Sequence, residues 1–299
     1  MLSKRDSQKE EKTFKIKWIY QAFGITKQAY YKRKIADKHQ VEQEAKVIEL
    51  VNQKRDKQAR IGTRKLHEDL KVELSNQGIK IGRDSLFELL RKHNMLVKRT
   101  KRFFITTDSK HHFNKSPNLL KELDIRHSEQ AFVCDITYIR IEKEHAYLAL
   151  VTDAYSKKIM GWNLQDNMKA TLVKDALNMA YKNTIHHKKN IILHSDRGIQ
   201  YCCPEYTEFA IQKDFKLSTT QKYDPYENAI AERINGILKY EFGLKKKIPS
   251  MAIAKKMVEE AVSIYNKERL HWSLDLQTPE KVHKEYNKHK YKSYAKKIA

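Results

Sequence analysis

The sequence predicts an α/β fold, a mixed-sheet core of ribonuclease H-like element order preceded by all-helical modules. Three observations predict it. Gly and Pro are scarce, 8 and 5 of 299 residues, as suits a folded, helix-rich chain. Residues 18 to 93 space their apolar side chains at helical intervals, punctuated by Gly24, Gly78 and Gly82. From Phe132 onward the pattern becomes short β-rich apolar runs alternating with helical ones.

Residues 18 to 36 read as two short helices around Phe23-Gly24-Ile25-Thr26, with Gly24 closing the first and Thr26 capping the second. This is a helix-turn-helix pattern with Lys27, Lys32, Arg33 and Lys34 on its recognition side, though an ordinary helical hairpin has the same pattern. A charged helix, Gln40 to Lys57, leads into a helical pair, Thr63 to Glu73 and Arg83 to His93, whose apolar stripe is Leu86, Leu89, Leu90 and Met95. Arg64 opens that pair. Lys98-Arg99-Thr100-Lys101-Arg102 then stands beside Phe103 and Phe104. It suits a DNA backbone and equally reads as a solvated connector.

The core begins with strands Phe132 to Ile141, Ala146 to Asp153 and Lys158 to Leu164. A helix through Leu172, Val173, Ala176, Leu177 and Ala180 follows. A fourth strand, Ile191 to His194, ends at Ser195-Asp196-Arg197-Gly198; helix Pro204 to Lys213, strand Phe215 to Thr219 and helix Asn228 to Phe242 complete the unit. Three strands, helix, strand, helix, strand, helix is the ribonuclease H-like order. A basic loop, Lys245-Lys246-Lys247, a helix from Ala252 to Glu268 and a Lys-rich tail close the chain. The expected organisation is a helix-turn-helix-like region at 1–58, a second helical DNA-binding module and basic linker at 59–120, the catalytic core at 121–285 and a basic tail at 286–299.

Lys and Arg number 60 against 37 Asp and Glu, a net charge of +23 spread along the chain. Such a surplus points to a polyanionic partner, because each phosphate contact releases condensed counterions. Cys134, Cys202 and Cys203 have neither the number nor the spacing of a disulfide framework or zinc site, so a reducing, cytoplasmic setting is expected. No apolar run approaches the roughly 18 residues of a membrane span, and the N-terminus reads as neither signal nor anchor.

Three carboxylates stand out. Alternation places Val133, Asp135 and Thr137 on one strand face, so Asp135 is an acid within an apolar strand, where burial without a partner costs several kcal/mol. A metal ion is one partner, an Arg or a backbone turn another. Asp196 lies where a strand gives way to a Gly-containing loop, which is also ordinary turn chemistry. Glu232 falls off the stripe formed by Ile230, Ile234, Ile237 and Leu238, on a face shared with Asn235, Gly236 and Lys239 that could equally be solvated surface. A mid-helix Gly236 costs roughly 1 kcal/mol relative to Ala, so a close approach is expected there. Together, three hard-oxygen ligands suit magnesium, and two such ions suit in-line phosphoryl displacement.

Phe132-Val133-Cys134-Asp135-Ile136-Thr137-Tyr138-Ile139, His194-Ser195-Asp196-Arg197-Gly198-Ile199-Gln200-Tyr201 and Glu227-Asn228-Ala229-Ile230-Ala231-Glu232, with 35 residues between Asp196 and Glu232, resemble the three catalytic blocks of DDE transposases. Specifically they are similar to the OrfB type of the insertion sequence three family, with its retroviral integrase-like core. Tyr265-Asn266-Lys267-Glu268-Arg269-Leu270-His271, Thr278-Pro279-Glu280 and Gly62-Thr63-Arg64-Lys65-Leu66 resemble its other signatures. Phe132, Glu227, Ile61 and Leu270 depart from the family's usual Trp, Asp, aromatic and Pro.

The resemblance implies Asp135, Asp196 and Glu232 as catalytic residues and ligands of Mg²⁺ or Mn²⁺, two ions in all. It implies cleavage of double-stranded DNA at element ends and strand transfer into a target. It also implies an assembly of at least two copies on DNA and an upstream-frame DNA-binding partner. DNA contacts are expected from Lys27, Lys32, Arg33, Arg64, Lys98, Arg99, Lys101, Arg102 and Lys239, the last a candidate for a terminal phosphate or a plain surface lysine. Asp153 is a candidate fourth ligand, or a strand-end cap or a support for the ligands, and His194 a packing residue or a support for a ligand. A catalytically inactive DNA-binding protein and a ribonuclease H-like nuclease are the alternative readings.

Overall fold

The computed structural model describes residues 18, 20, 22–97, 116–121, 123–142, 145–221 and 228–286. Lys98, Arg99, Lys101 and Arg102 lie outside these described residues, as does Glu227.

The N-terminal turn forms as its residues dictate. Gly24 takes φ 61°, the Ile25 amide reaches back to the Tyr20 carbonyl at 3.0 Å, and the Thr26 hydroxyl accepts the Ala29 amide at 3.1 Å. From that cap the chain runs on as one helix, α1 (Lys27–Lys57), where two were expected. Lys27 to Lys57 contains neither Gly nor Pro, so nothing interrupts the backbone ladder. The first half of α1 is exposed. Its second half buries Val47 and Val51 against α2 (Thr63–Asp69), α3 (Lys71–Asn76) and α4 (Arg83–Lys92), in a cluster with Leu66, Leu70, Leu86 and Leu90. The expected helix Thr63 to Glu73 breaks at buried Leu70, which joins α2 to α3.

The core sheet comprises β1 (Ala131–Arg140), β2 (His145–Asp153), β3 (Ile159–Gln165), β4 (Ile192–Ser195) and β5 (Lys216–Thr219), in the order β3-β2-β1-β4-β5. β1 pairs antiparallel with β2 and β2 with β3, whereas β4 joins β1 in parallel and β5 joins β4 in parallel. The parallel joints follow from the intervening helices α5 (Ala170–Lys182), α6 (Ile199–Cys202) and α7 (Pro204–Gln212). This is the mixed sheet that the sequence predicts.

Each sheet face carries its own core. Phe132, Cys134, Met160, Leu193 and Phe215 pack with Leu172, Ala176 and Leu177 of α5. On the other face Ile139, Leu148 and Leu150 pack with Ile234 and Leu238 of α8 (Ala229–Glu241) and Val258 and Tyr265 of α9 (Met251–Lys267). A short α10 (Pro279–Lys284), opened by Thr278 as its cap, docks through buried Val282 and His283. No helix among the described residues is long and apolar enough to cross a membrane.

Candidate active site

Asp135 and Asp196 are brought together by strand register. In the parallel pair of β1 and β4, Val133 faces His194 and Cys134 faces Ser195; Asp135 and Asp196 directly follow this last pair, and the charge of Asp196 acts on Asp135. Side chains at matched positions of parallel strands leave the sheet on the same side. That side carries α8, because the Asn235 side-chain amide donates to Asp135 Oδ2 at 2.8 Å. Glu232 stands one turn before Asn235 on α8, close enough for its charge to act on Asp135. Asn228 fixes the start of α8 by donating to the Cys134 carbonyl at 3.0 Å.

Each Asp135 oxygen receives one internal hydrogen bond, Oδ2 from Asn235 and Oδ1 from the Ile136 amide at 2.9 Å. Burial pushes the Asp135 carboxyl up to about 7, the charge of Asp196 adds to this and that of Glu232 adds less, against lowering by the two hydrogen bonds. The Glu232 carboxyl is likewise raised, by burial first and Asp196 second. Asp196 and Glu232 raise the proton affinity of Asp135, and Asp196 that of Glu232; a cation relieves such repulsion, and hard carboxylate oxygens are donors that magnesium takes. Among the described residues no three acidic, His or Cys side chains enclose a metal ion by themselves. Asp135, Asp196 and Glu232 are thus not gathered into a metal-holding group in this structure.

The loop after β4 is ordered locally. Asp196 Oδ1 accepts the Gly198 amide at 3.0 Å, and Arg197 donates through Nε to the Thr220 carbonyl at 2.5 Å and through Nη2 to the Gln221 carbonyl. His194 is fully buried with Nδ1 2.8 Å from Ser218 Oγ across to β5, a packing position as expected. Asp153 is fully buried and accepts from the amides of Glu129, Tyr155 and Ser156 and from the Ser156 hydroxyl. It is therefore a strand-end cap.

Lys239 lies on α8 two turns beyond Glu232, its ammonium 4.1 Å above the Tyr138 ring. Burial lowers its pKa to about 8, Asp135 opposes this, and Lys245 and Arg140 add to the lowering. Gly236 differs from expectation: a Cβ there would meet nothing within 4 Å, so no other part of the described chain approaches and the helix surface between Glu232 and Lys239 is open. Lys27, Lys32, Arg33 and Arg64 are all exposed on the helical modules.

Asn235 is buried against Asp135 where the helical pattern grouped it with the face of Glu232; only its i+3 spacing hinted at a shared task. The Tyr265-to-His271 stretch is structural. Asn266 accepts the Ile159 amide and donates to the Ile159 carbonyl, Tyr265 donates to the Lys157 carbonyl, and Arg269 makes two 2.8 Å bonds to Glu241 at the end of α8.

Residues 125–225 match the integrase core domain family, and residues 213–279 match a second family also described as integrase core domain. An insertion element IS600 uncharacterized 31 kDa protein of Shigella sonnei is 30% identical over 272 residues, 89% of this chain and 98% of its own length. The InsF transposase for insertion sequence IS3A of Escherichia coli strain K12 is 29% identical, across 78% of this chain and 81% of its own. The chain belongs to the insertion sequence three family of transposases. It is thus a polynucleotidyl transferase of DNA transposition and integration, with an integrase-like core. Among solved structures, the HTLV-2 integrase catalytic core domain in complex with magnesium is 18% identical, covering 52% of this transposase and 96% of that chain with a TM-score of 0.42. The transposase accommodates its departures from family pattern in the core: Phe132 is fully buried 6.1 Å from the Phe215 ring, and Ile61 is buried among the N-terminal helices.

Proposed function

We propose that Asp135, Asp196 and Glu232 are the catalytic residues and the ligands of a divalent metal, Mg²⁺ or Mn²⁺, bound as two ions, at which DNA is cut and rejoined. The reading is supported by Asp135 and Asp196 directly following the last paired residues of β1 and β4, Cys134 and Ser195, and by Glu232 standing on the helix whose Asn235 donates to Asp135. When bound, the metal supplies Lewis-acid activation of the attacking oxygen and neutralises charge at the leaving one. The protein's own part is orientation. Asn235 and the Ile136 amide hold Asp135 in one rotamer, and the Asp196 turn and Arg197 hold the second acid against β5.

Double-stranded DNA at the element ends is the first substrate and target DNA the second. Lys239, beside the open helix surface at Gly236, is placed to hold a phosphate next to the acids. Exposed Lys27, Lys32, Arg33 and Arg64 suit the helical modules to the flanking duplex. Two ends must meet, so the working form is at least a dimer on DNA, joined by an upstream-frame DNA-binding protein where one is encoded. Glu232→Gln is expected to abolish Mg²⁺- or Mn²⁺-dependent cleavage of an end-bearing duplex while leaving duplex binding intact. Full cleavage by that variant overturns the assignment. A wild-type preference for an RNA–DNA hybrid over the duplex replaces it with a nuclease.

A further inference from the structure

The second helical module meets the core at a cluster of like charges. Lys57, at the end of α1, pairs with Glu268 just beyond α9 at 2.9 Å and fixes the junction. Beside it Arg269, only 3% exposed, donates to both oxygens of Glu241, and its Nη1 lies 2.8 Å from His271 Nε2. The Glu241 carboxylate is thereby committed to Arg269. Two more cations converge on it, Lys65 from α2 and Arg233 from α8, each close enough for its charge to act on Glu241 and His271. Neither side chain makes a hydrogen bond or ion pair to another described residue. Burial lowers the Lys65 ammonium to about 8, Arg269 and Arg233 push it in the same direction, and Glu241 only partly opposes them. A half-buried lysine with surplus positive charge around it is costly unless an anion completes the set.

We propose that Lys65 and Arg233 form a clamp for the DNA phosphate backbone at this junction, holding the duplex beside the catalytic acids. Arg233 directly follows Glu232 on α8, so an anion held there lies about a quarter-turn of helix from the acidic face. The clamp would register the module and the core on one stretch of backbone, a positioning contact indifferent to base sequence. This inference rests on the transposase reading above.

The test is equilibrium binding of the full-length protein to a short mixed-sequence duplex, without divalent metal, across a salt series. Removing one phosphate-binding cation lowers the slope of log affinity against log salt by about 1. Lys65→Met, which keeps the stem, and Arg233→Gln, at an exposed position, are each expected to lower the slope by about 1. Lys65→Arg is expected to preserve it, and Lys256→Met, on the outer face of α9, to leave it unchanged. If Lys65→Met melts early, Arg233→Gln carries the test alone. Wild-type binding with an unaltered slope in Arg233→Gln, or an equal loss in Lys256→Met, overturns the clamp and leaves the transposase reading standing. Failure of the wild type to bind duplex counts against both.

Discussion

Asn235 shows how one side chain makes two chemistry-bearing elements act together. It lies one turn beyond Glu232 on α8 and donates to Asp135 Oδ2 on β1, so the third acid is indexed to the first by a single 2.8 Å bond. An amide does this without adding charge to a site that already sums three carboxylates. Hydrogen-bonding partners of metal ligands typically account for about 10–100-fold in metal affinity or activity. Asn235→Ala is accordingly expected to raise the Mg²⁺ concentration for half-maximal cleavage about 10–100-fold, with metal-free duplex binding unchanged. A metal titration of cleavage decides it: a curve that overlays the wild type means Asp135 holds its rotamer unaided. Asp135 was legible in the sequence because a carboxylate inside an apolar strand is anomalous by itself. Asp196 was not, since the strand its loop adjoins, β1, lies far away in sequence, and only the spacing of the motif blocks indicated it. Lys65 and Arg233 carry no local signal of their proximity, because α2 and α8 lie far apart in sequence.

Elements were more legible than their joints. Periodicity and strand composition located all five strands and α5, α7, α8 and α9, because each buries a regular face. The same pattern divided α1 into two helices where no breaker exists, and it could not foresee how closely α5 approaches β3. That approach depends on Gly161. A Cβ at this position would stand 2.1 Å from the Ala176 carbonyl oxygen and 2.6 Å from the Ala180 amide nitrogen, both fixed helix backbone. Gly161→Ala therefore forces α5 off the sheet that carries Asp135. Overpacking of this kind costs on the order of 3 kcal/mol, which for a domain of this size lowers Tm by roughly 6–12 °C. Thermal unfolding followed by circular dichroism measures it, and an unshifted Tm would show that α5 slides freely on β3.

At the scale of the whole molecule, the basic surplus is spread along the chain, Asp135 lies on the central strand of the sheet, and a buried anionic knot ties the C-terminal segment to the core. In that knot Glu129 is 1% exposed and accepts the amides of Ile185, His186 and His187 at 2.7 to 2.8 Å, with the His283 ring of α10 at 3.1 Å. His283 also meets Ser156, which donates to Asp153, so the strand end, the loop after α5 and α10 share one network. Burial by itself would raise the Glu129 carboxyl, but the bonds from His283 and the three amides outweigh it and hold the group at about 2, below its ordinary 4.5. A carboxylate depressed in the folded state contributes stability that is complete above its unfolded pKa and disappears as pH falls towards the folded one. The stabilisation from Glu129 should thus be full at neutral pH and decline between about pH 4.5 and 2. Glu129→Gln, which removes the charge and keeps the shape, is expected to lower Tm at pH 7 and to flatten its dependence on pH across that window. Parallel Tm-against-pH curves for wild type and variant would place the acid sensitivity elsewhere. Because the knot is remote from Asp135, Asp196 and Glu232 in the network of bonds, the variant should still cleave duplex at temperatures where it stays folded.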